Sequence, residues 1–197
     1  MLMNLTIFLP NYCHKGIVNY ISYSPNGKYI ASASDDKTVC FLDMEHGNWH
    51  ERDHDDVVNT ISFSPNGNYA VSASNDYTIR VWDMKTNTLF RKIEGESAAS
   101  SAFFCPDGRS IVSAHGDGTI RVWDTETGIS IQTIEGHNDS IYSCSFNSKG
   151  DKIISVSSEK NVSIWDFFPL QQLIDETRER FKNRQLTPEE RQKYYLE

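Results

Sequence analysis

The chain has 197 residues, and its 38% hydrophobic and 12% aromatic content is typical of a folded domain and too apolar for disorder. Residues 167–197 contain six acidic and six basic side chains, so the formal net charge of −8 lies on the preceding residues. Such an acidic body repels phosphate backbones, which excludes nucleic acid as the expected partner. No run of eighteen apolar residues exists, so we expect no membrane-spanning helix.

The first ten residues are apolar, but they lack a positive segment and a small-residue cleavage site, so they make a poor signal peptide. Residues 5–9 favour a β-strand instead. The cysteines show no CxxC spacing and occupy no shared position, which argues against a disulfide framework and favours a reducing, cytoplasmic setting. They are Cys13, Cys40, Cys105 and Cys144.

Two landmarks recur along the chain with the same period. The dipeptide Trp-Asp ends at positions 83, 124 and 166, and Leu42-Asp43 fills the same place one period earlier. A turn that closes on glycine recurs at Gly27, Gly67, Gly108 and Gly150. Both landmarks step by 40, 41 and 42 residues, and a period near forty with this dipeptide indicates the blades of a β-propeller.

The second repeat shows how one unit is built. Residues 57–63 alternate apolar and polar side chains as a half-buried strand does, and the Ser-Pro-Asn-Gly turn at 64–67 follows them. Three more short strands are predicted at 69–74, 78–83 and 88–93, separated by turn residues. Four short antiparallel strands in one unit predict a propeller blade.

The segment from Ser72 to Asp83, with His54 upstream, closely resembles the WD repeat (WD40) family, and the repeats cover about four fifths of the chain. In that family, a histidine, a serine or threonine, an aspartate and a tryptophan of each blade form a hydrogen-bonded tetrad. A buried aspartate needs such donors. By position, the second blade has the full set: His54, Asp76 and Trp82, with Ser72 or Ser74.

The other blades each depart from the family pattern at one position. The first has His14 and Asp36 but Leu42 for the tryptophan; the third has Asp117 and Trp123, with Glu96 assigned to the histidine position; the fourth has His137 and Trp165, with Glu159 for the aspartate. Two acids that faced each other at Glu96 and Asp117 would shift a pKa, or one would swing into solvent.

The resemblance therefore implies an all-β chain of four four-stranded antiparallel blades. Residues 5–9 are predicted as a strand that leads or closes the arrangement. Family rings usually have seven blades, so an open arc or a piece of a larger ring is favoured over a small closed ring. The predicted blades span about 11–53, 54–95, 96–136 and 137–167.

After the fourth blade the periodicity changes to that of a helix. Leu170, Leu173, Ile174 and Phe181 fall at helical spacing, so residues 168–197 are predicted as a helical tail. This tail resembles the C-terminal cap of bacterial multidomain WD repeat proteins, some of which carry a NACHT-type NTPase module. The resemblance implies a bacterial origin. A simple cap over the open face of the last blade is an equal alternative.

No motif with catalytic or metal-binding spacing is present, so the sequence predicts neither enzyme activity nor a cofactor. His46, His50 and His54 lie four residues apart, but this stretch lies where the fourth strand of the first blade is predicted, so a shared helical face would be lost across the turn at Gly47. A propeller enzyme is the third alternative, and it would need convergent acid and base groups at the central channel.

The surface remains as the expected functional element. In the family, the usual docking face is built from the loop between blades and the second turn of each blade. We expect a non-catalytic scaffold that binds a protein or peptide there, with a basic partner favoured by the acids and Tyr77 as its large aromatic. Alternatives are the sensor end of a larger signalling NTPase and self-association through open blade edges. The docking face comprises Lys15, Asp35, Lys37, Asp55, Asp56, Asn75, Tyr77, Ser97, His115, Asn138 and Asp139.

Overall fold

The structure, a computed structural model, describes residues 13–168. These residues form fifteen strands joined by turns, and the described part of the chain contains no helix. The strands are β1 (Val18–Tyr23), β2 (Tyr29–Ser34), β3 (Thr38–Asp43), β4 (Trp49–Asp53), β5 (Val58–Phe63), β6 (Tyr69–Ser74), β7 (Thr78–Asp83), β8 (Thr88–Glu94), β9 (Ala99–Phe104), β10 (Ser110–His115), β11 (Thr119–Asp124), β12 (Ser130–Glu135), β13 (Ile141–Phe146), β14 (Lys152–Ser157) and β15 (Val162–Asp166).

Consecutive strands pair antiparallel into four separate sheets. Strands β1–β4, β5–β8 and β9–β12 make three four-stranded sheets, and β13–β15 make a three-stranded one. The all-β blades predicted from the sequence are confirmed, except that the fourth blade has three strands in the described range. The strand predicted at 5–9 and all but the first residue of the predicted helical tail lie outside the described residues.

The turn that follows the first strand of each blade is fixed by its own side chains. In blade two the Ser64 hydroxyl lies 2.8 Å from the Asn66 amide oxygen, which also accepts from the Asn68 amide at 2.9 Å. Gly67 has φ +71°, a backbone conformation that is unfavourable for residues other than glycine. The sequence therefore places the first two strands of the blade in register, as Ile61 opposite Ser72 shows.

The core lies between the sheets, where each blade turns a front face to the next blade and a back face to the preceding one. Burial of this apolar surface, at roughly 25 cal/mol per Å², holds neighbouring blades together. The front face of blade two is Val71, Ala73, Ile79 and Val81, and the back face of blade three against it includes Ala99, Ala102, Phe104 and Ile111. Equivalent clusters join blades one and two and blades three and four.

The blades follow one another as an open arc. The inner strands β1, β5, β9 and β13 contact one another in that order, and β13 makes no comparable contact with β1. Ile21 on blade one is 63% exposed and Ile164 on blade four is 67% exposed. The two terminal blades are therefore not packed against each other in residues 13–168. No helix long and apolar enough to cross a membrane occurs in this range.

Candidate functional site

A hydrogen-bonded chain runs through blade two from its third strand to the loop between blades. Trp82 Nε1–H donates to Ser72 Oγ at 2.9 Å, and Ser72 Oγ lies 2.8 Å from His54 Nε2. On the other side of the ring, His54 Nδ1 lies 2.8 Å from Asp76 Oδ2. Since the carboxylate accepts from Nδ1–H, the Ser72 hydroxyl donates to Nε2.

The Asp76 side chain is almost fully enclosed, with only 3% of its surface exposed. Burial opposes its ionisation, but hydrogen bonds from His54, Thr78 and the Asp55 amide outweigh that cost and hold the pKa of Asp76 far below its usual value. Burial lowers the pKa of His54, which the Asp76 carboxylate only partly offsets. The pair is therefore an ionised aspartate and a neutral histidine near pH 7.

Ser74 is not part of this hydrogen-bonded network, so of the two serines predicted for the tetrad only Ser72 joins it. Its hydroxyl donates to the Val57 carbonyl at 2.8 Å and accepts from the Asp76 amide at 3.1 Å. Because side chains alternate along a strand, Ser72 and Ser74 point to the same face. Ser74 binds the loop that enters the blade, whereas Ser72 accepts from the Trp82 indole.

Blade one builds the same arrangement without an indole. His14 Nε2 lies 2.7 Å from Ser32 Oγ, and Nδ1 lies 3.2 Å from Asp36 Oδ2. Burial of Asp36 opposes ionisation, but the Thr38 hydroxyl and the Lys15 amide outweigh it and keep the pKa well below its usual range. Leu42 takes the tryptophan position and is buried.

The cysteine positions argued against a disulfide framework, but the structure contains one disulfide. Cys13 and Cys40 are joined, with their Cα atoms 6.3 Å apart. Cys40 lies at the β3 position that Arg80 holds in blade two, beside the loop that carries His14. Spacing along the sequence missed the pair because the fold brings together residues that are 27 apart.

The remaining cysteines of the described residues are free and buried. Burial raises the pKa of both thiols, Cys105 and Cys144, to about 12. A thiol with so high a pKa is a poor nucleophile at neutral pH, so both act as small core side chains.

In blade three, the histidine position belongs to Gly95 and not to Glu96. The Gly95 amide donates to the Tyr77 carbonyl at 2.7 Å, as the His54 amide does to the Lys37 carbonyl at 2.7 Å. Glu96 is the counterpart of Asp55, and its side chain is 91% exposed. The assignment of Glu96 to the histidine position was therefore wrong by one residue, because Gly95 has no side chain that marks the position.

His115 supplies the imidazole that Gly95 lacks. It was predicted on the docking face, but it is fully buried. Its Nε2 lies 2.8 Å from Ser113 Oγ, to which Trp123 Nε1–H also donates at 2.8 Å. A Cβ atom at Gly95 would lie 3.5 Å from His115 Cε1, so the ring fills the space that a side chain at Gly95 would enter. Burial and the nearby Arg121 lower the pKa of His115 to about 4.

The predicted conflict between Glu96 and Asp117 does not arise because an arginine lies between them. Arg121 Nη2 is 2.9 Å from Asp117 Oδ2 and 3.3 Å from Glu96 Oε2. Arg80 does the same in blade two, 3.2 Å from Asp76 and 3.0 Å from Asp55. Each of these blades thus has an inner acid, an arginine and an outer acid in a row, and the inner acid is buried only in blade two.

Blade four keeps the serine and the tryptophan of the chain. His137 Nε2 lies 2.7 Å from Ser155 Oγ, and Trp165 Nε1–H donates to the same oxygen at 2.8 Å. Glu159 lies 3.7 Å from His137 Nδ1, which is an ion-pair distance too long for a hydrogen bond. The longer acid therefore anchors the histidine less firmly than Asp76 does.

The docking face is built on these networks, since their aspartates hold its loops. The Asp76 carboxylate accepts from the Asp55 amide at 3.0 Å, and the Lys37 ammonium donates to the Asp55 carbonyl at 3.0 Å. Tyr77, at φ +68°, is 53% exposed. Of the predicted set, Asp56 and Ser97 are half-buried, His115 is buried, and the rest are exposed: Lys15, Asp35, Lys37, Asp55, Asn75, Tyr77, Asn138 and Asp139.

Sequence reasoning missed an acidic groove that continues this face between blades two and three. It has a volume of about 590 Å³, and Arg121 and Trp123 lie in its wall. Glutamates from the outer strands reach it from both blades, which no spacing along the sequence shows. The acids that line it are Glu94, Glu96, Asp117 and Glu135.

The networks bind loops to strands. Each histidine of these networks has a serine hydroxyl as a partner inside its own blade. Among residues 13–168, no three His, Cys, Asp or Glu side chains are placed to hold a metal ion. The arrangement therefore supplies a rigid support for surface loops.

A family model for the WD domain, G-beta repeat, matches residues 6–43, 49–83, 87–124 and 128–166. Each match ends at the Asp of the repeated dipeptide, where the third strand of a blade ends. No curated protein matches the chain significantly. WD40 repeats generally act as scaffolds for protein–protein interaction. Because the matches cover most of the chain, this protein belongs to the WD40 repeat family.

Proposed function

We propose that this protein is a non-catalytic scaffold whose docking face, with the adjoining acidic groove, binds a basic segment of a protein partner. The observation that carries the proposal is a repeated one. Asp55 and Glu96 hold the same position in successive blades, and their side chains are 81% and 91% exposed. A rigid row of exposed acids on a propeller face fits a cationic peptide.

The charge on this row is held in place from below. Arg80 and Arg121 each bridge the outer acid to an inner acid, and the side chains of these arginines are only 12% and 9% exposed. Since one buried arginine faces two acids in each blade, each set keeps a net negative charge toward solvent. Such a surface attracts a basic partner, and salt weakens the attraction.

Tyr77 supports a contact beyond charge. Its side chain is 53% exposed, and its carbonyl accepts a hydrogen bond from the Gly95 amide. An aromatic side chain on a fixed backbone offers apolar area at small entropic cost, which is typical of binding hot spots.

The test measures fluorescence anisotropy of a labelled peptide of alternating lysine and glycine. We compare the wild type with an Asp55→Asn, Asp56→Asn, Tyr77→Ala variant. Binding to the wild type should weaken steeply from about 50 to about 300 mM salt. The variant should bind roughly tenfold more weakly, because it loses two charges and the aromatic.

A matched control carries Glu45→Gln and Glu126→Gln, two exposed acids in turns after the third strand of their blades. Its affinity for the peptide should equal that of the wild type. If the control and the variant bind equally, total charge governs the binding and the docking face has no special role.

The alternative is that this chain is the repeat end of a larger bacterial signalling NTPase of the NACHT type, and it rests on the tail resemblance alone. An open reading frame that extends upstream into a nucleotide-binding module would favour it. Cytoplasmic localisation remains a proposal, since the Cys13–Cys40 disulfide removes the cysteine argument for it.

The acidic repeats still argue against nucleic acid as a partner, and the sequence offers no membrane segment.

A further inference from the structure

The two ends of the arc expose surfaces that are buried everywhere else in the protein. On blade four, the front face exposes Val162 at 66% and Ile164 at 67%. Their counterparts on blade two, Ile79 and Val81, are at most 1% exposed. The register of the strands makes these positions equivalent, since Trp82 and Trp165 follow Val81 and Ile164 directly.

The back face of blade one shows the same contrast. Ile21 is 63% exposed and Val18 is 50% exposed. Their counterparts on blade two, Ile61 and Val58, are fully buried against the front face of blade one. Met44 is 42% exposed where Met84 is 5% exposed. Each terminal face therefore has the side chains that form one side of a contact between blades, but it has no neighbouring blade among the described residues.

The two halves are of opposite kinds, one front and one back. Three internal junctions of this chain each join a front face to a back face through aliphatic side chains and small residues. Contiguous exposed apolar faces mark sites of association. The front face of blade four thus fits the back face of blade one in another molecule, because that contact repeats an internal junction.

We infer that two copies of this chain pair head to tail, with the front face of blade four in each copy packed on the back face of blade one in the other. Two copies provide two such junctions and bring together eight blades, within the range of about four to eight blades that closed propellers show. A contact between unlike faces closes when the rotation permits, and a closed pair leaves neither face open.

The test uses the full chain and sedimentation velocity over a range of concentrations. The wild type should form a species of twice the 22.5 kDa of one chain. Ile21→Glu and Ile164→Glu should each weaken this association roughly tenfold or more, because each places a charge in both junctions. Ile129→Glu is the matched control, since Ile129 is 67% exposed but lies before β12, away from both faces.

Mixing the two variants separates this arrangement from the others. An equimolar mixture of Ile21→Glu and Ile164→Glu contains a pair with one wild-type junction, so dimer should reappear in the mixture. Pairing of like faces would instead respond to only one of the two substitutions. Either that result, or a mixture that stays monomeric, would overturn the inference.

A wild type that remains monomeric at every concentration would also overturn it. Far-UV circular dichroism checks that both variants fold. If a glutamate unfolds the chain, Ile21→Ser and Ile164→Ser replace it, since serine reduces the apolar area without a buried charge.

Discussion

Blades two and three each bury an imidazole beside a serine hydroxyl, but the imidazole comes from different places in the chain. In blade two the ring comes from His54 in the loop before the blade, and in blade three it comes from His115 at the end of β10. In both, the ring meets a serine that also accepts from the tryptophan indole. In these two blades the serine and the tryptophan are the same, and only the source of the imidazole differs.

The difference lies in what the ring does next. His54 continues to Asp76 at 2.8 Å and so joins the loop to the buried acid, whereas His115 Nδ1 lies 3.4 Å from the Ser97 carbonyl. Asp117 therefore depends on Arg121 and on Thr119, and its side chain is 32% exposed. We expect the buried acid to matter more for stability in blade two than in blade three.

The largest expected effect is therefore at Asp76. Asp76→Ala should lower the free energy of unfolding by about 3 kcal/mol, because it leaves His54 and Arg80 without their buried partner. Asp117→Ala should cost about 1 kcal/mol, because water reaches its partners. Asp36→Ala should fall between them, since the Asp36 side chain is 12% exposed. Urea unfolding of the three variants is the measurement, and equal midpoints would contradict the comparison.

The second prediction rebuilds the blade two arrangement in blade three. His115→Ser should cost roughly 1–3 kcal/mol, because Ser113 and Trp123 lose a partner. Gly95→His alone should also destabilise, since its Cβ would lie 3.1 Å from the Tyr77 carbonyl and its ring would meet His115. The double variant should be more stable than the two single losses predict, because the new ring enters the vacated space.

A double-mutant cycle in urea measures that coupling. Additive losses would show that His115 and the histidine position of other blades are unrelated sites. Leu89→Ser, an exposed change on β8, serves as the control because it should add to each variant without coupling.

The repeat could be predicted from the sequence because its landmarks are local. The Ser-Pro-Asn-Gly turn, the Trp-Asp dipeptide and the alternation of each strand depend on neighbouring residues, so they identify the blades without knowledge of the fold. His54 and Asp76 followed from the resemblance to the WD repeat family, which assigns them by position. Where that assignment failed, at Gly95, the sequence contained no side chain that marked the position.

The rest depended on contacts between distant parts of the chain. His115 takes over a role from a residue 20 positions earlier, and only the space beside Gly95 shows this. The Cys13–Cys40 pair likewise needs the loop and β3 to meet. The sequence predicted an open arc, but it did not show which side chains its ends expose, because Ile164 and Val81 look alike in sequence and differ only in their neighbours.

The third prediction concerns pH and follows from the burial of His115. Its pKa falls from an ordinary 6.5 to about 4 in the folded protein, so the unfolded chain binds a proton between these values and the folded chain does not. Its contribution is complete above pH 6.5 and declines as the pH falls toward 4. The largest change in the free energy of unfolding that this pKa shift can cause is roughly 3 kcal/mol.

Urea unfolding of the wild type and of His115→Gln, at several pH values between 7 and 4, checks this. The stability difference between them should shrink as the pH falls. His46→Gln is the control, since Asp43 raises the pKa of the exposed His46 and gives a small effect of opposite sign. A difference that stays constant with pH would mean that His115 titrates normally.

The smallest expected effect is at the outer acids, where the two blades are alike. Glu96 and Asp55 are almost fully exposed, so their pairing with Arg121 and Arg80 contributes little to folding. Glu96→Gln and Asp55→Asn should each change the free energy of unfolding by less than about 0.5 kcal/mol. Each should nevertheless weaken binding of the lysine peptide, because the charge that faces solvent is lost while its support remains. Thermal melts and peptide anisotropy on the same samples separate the two effects. A variant that loses stability and binding together would place these acids in the fold and not in the docking face.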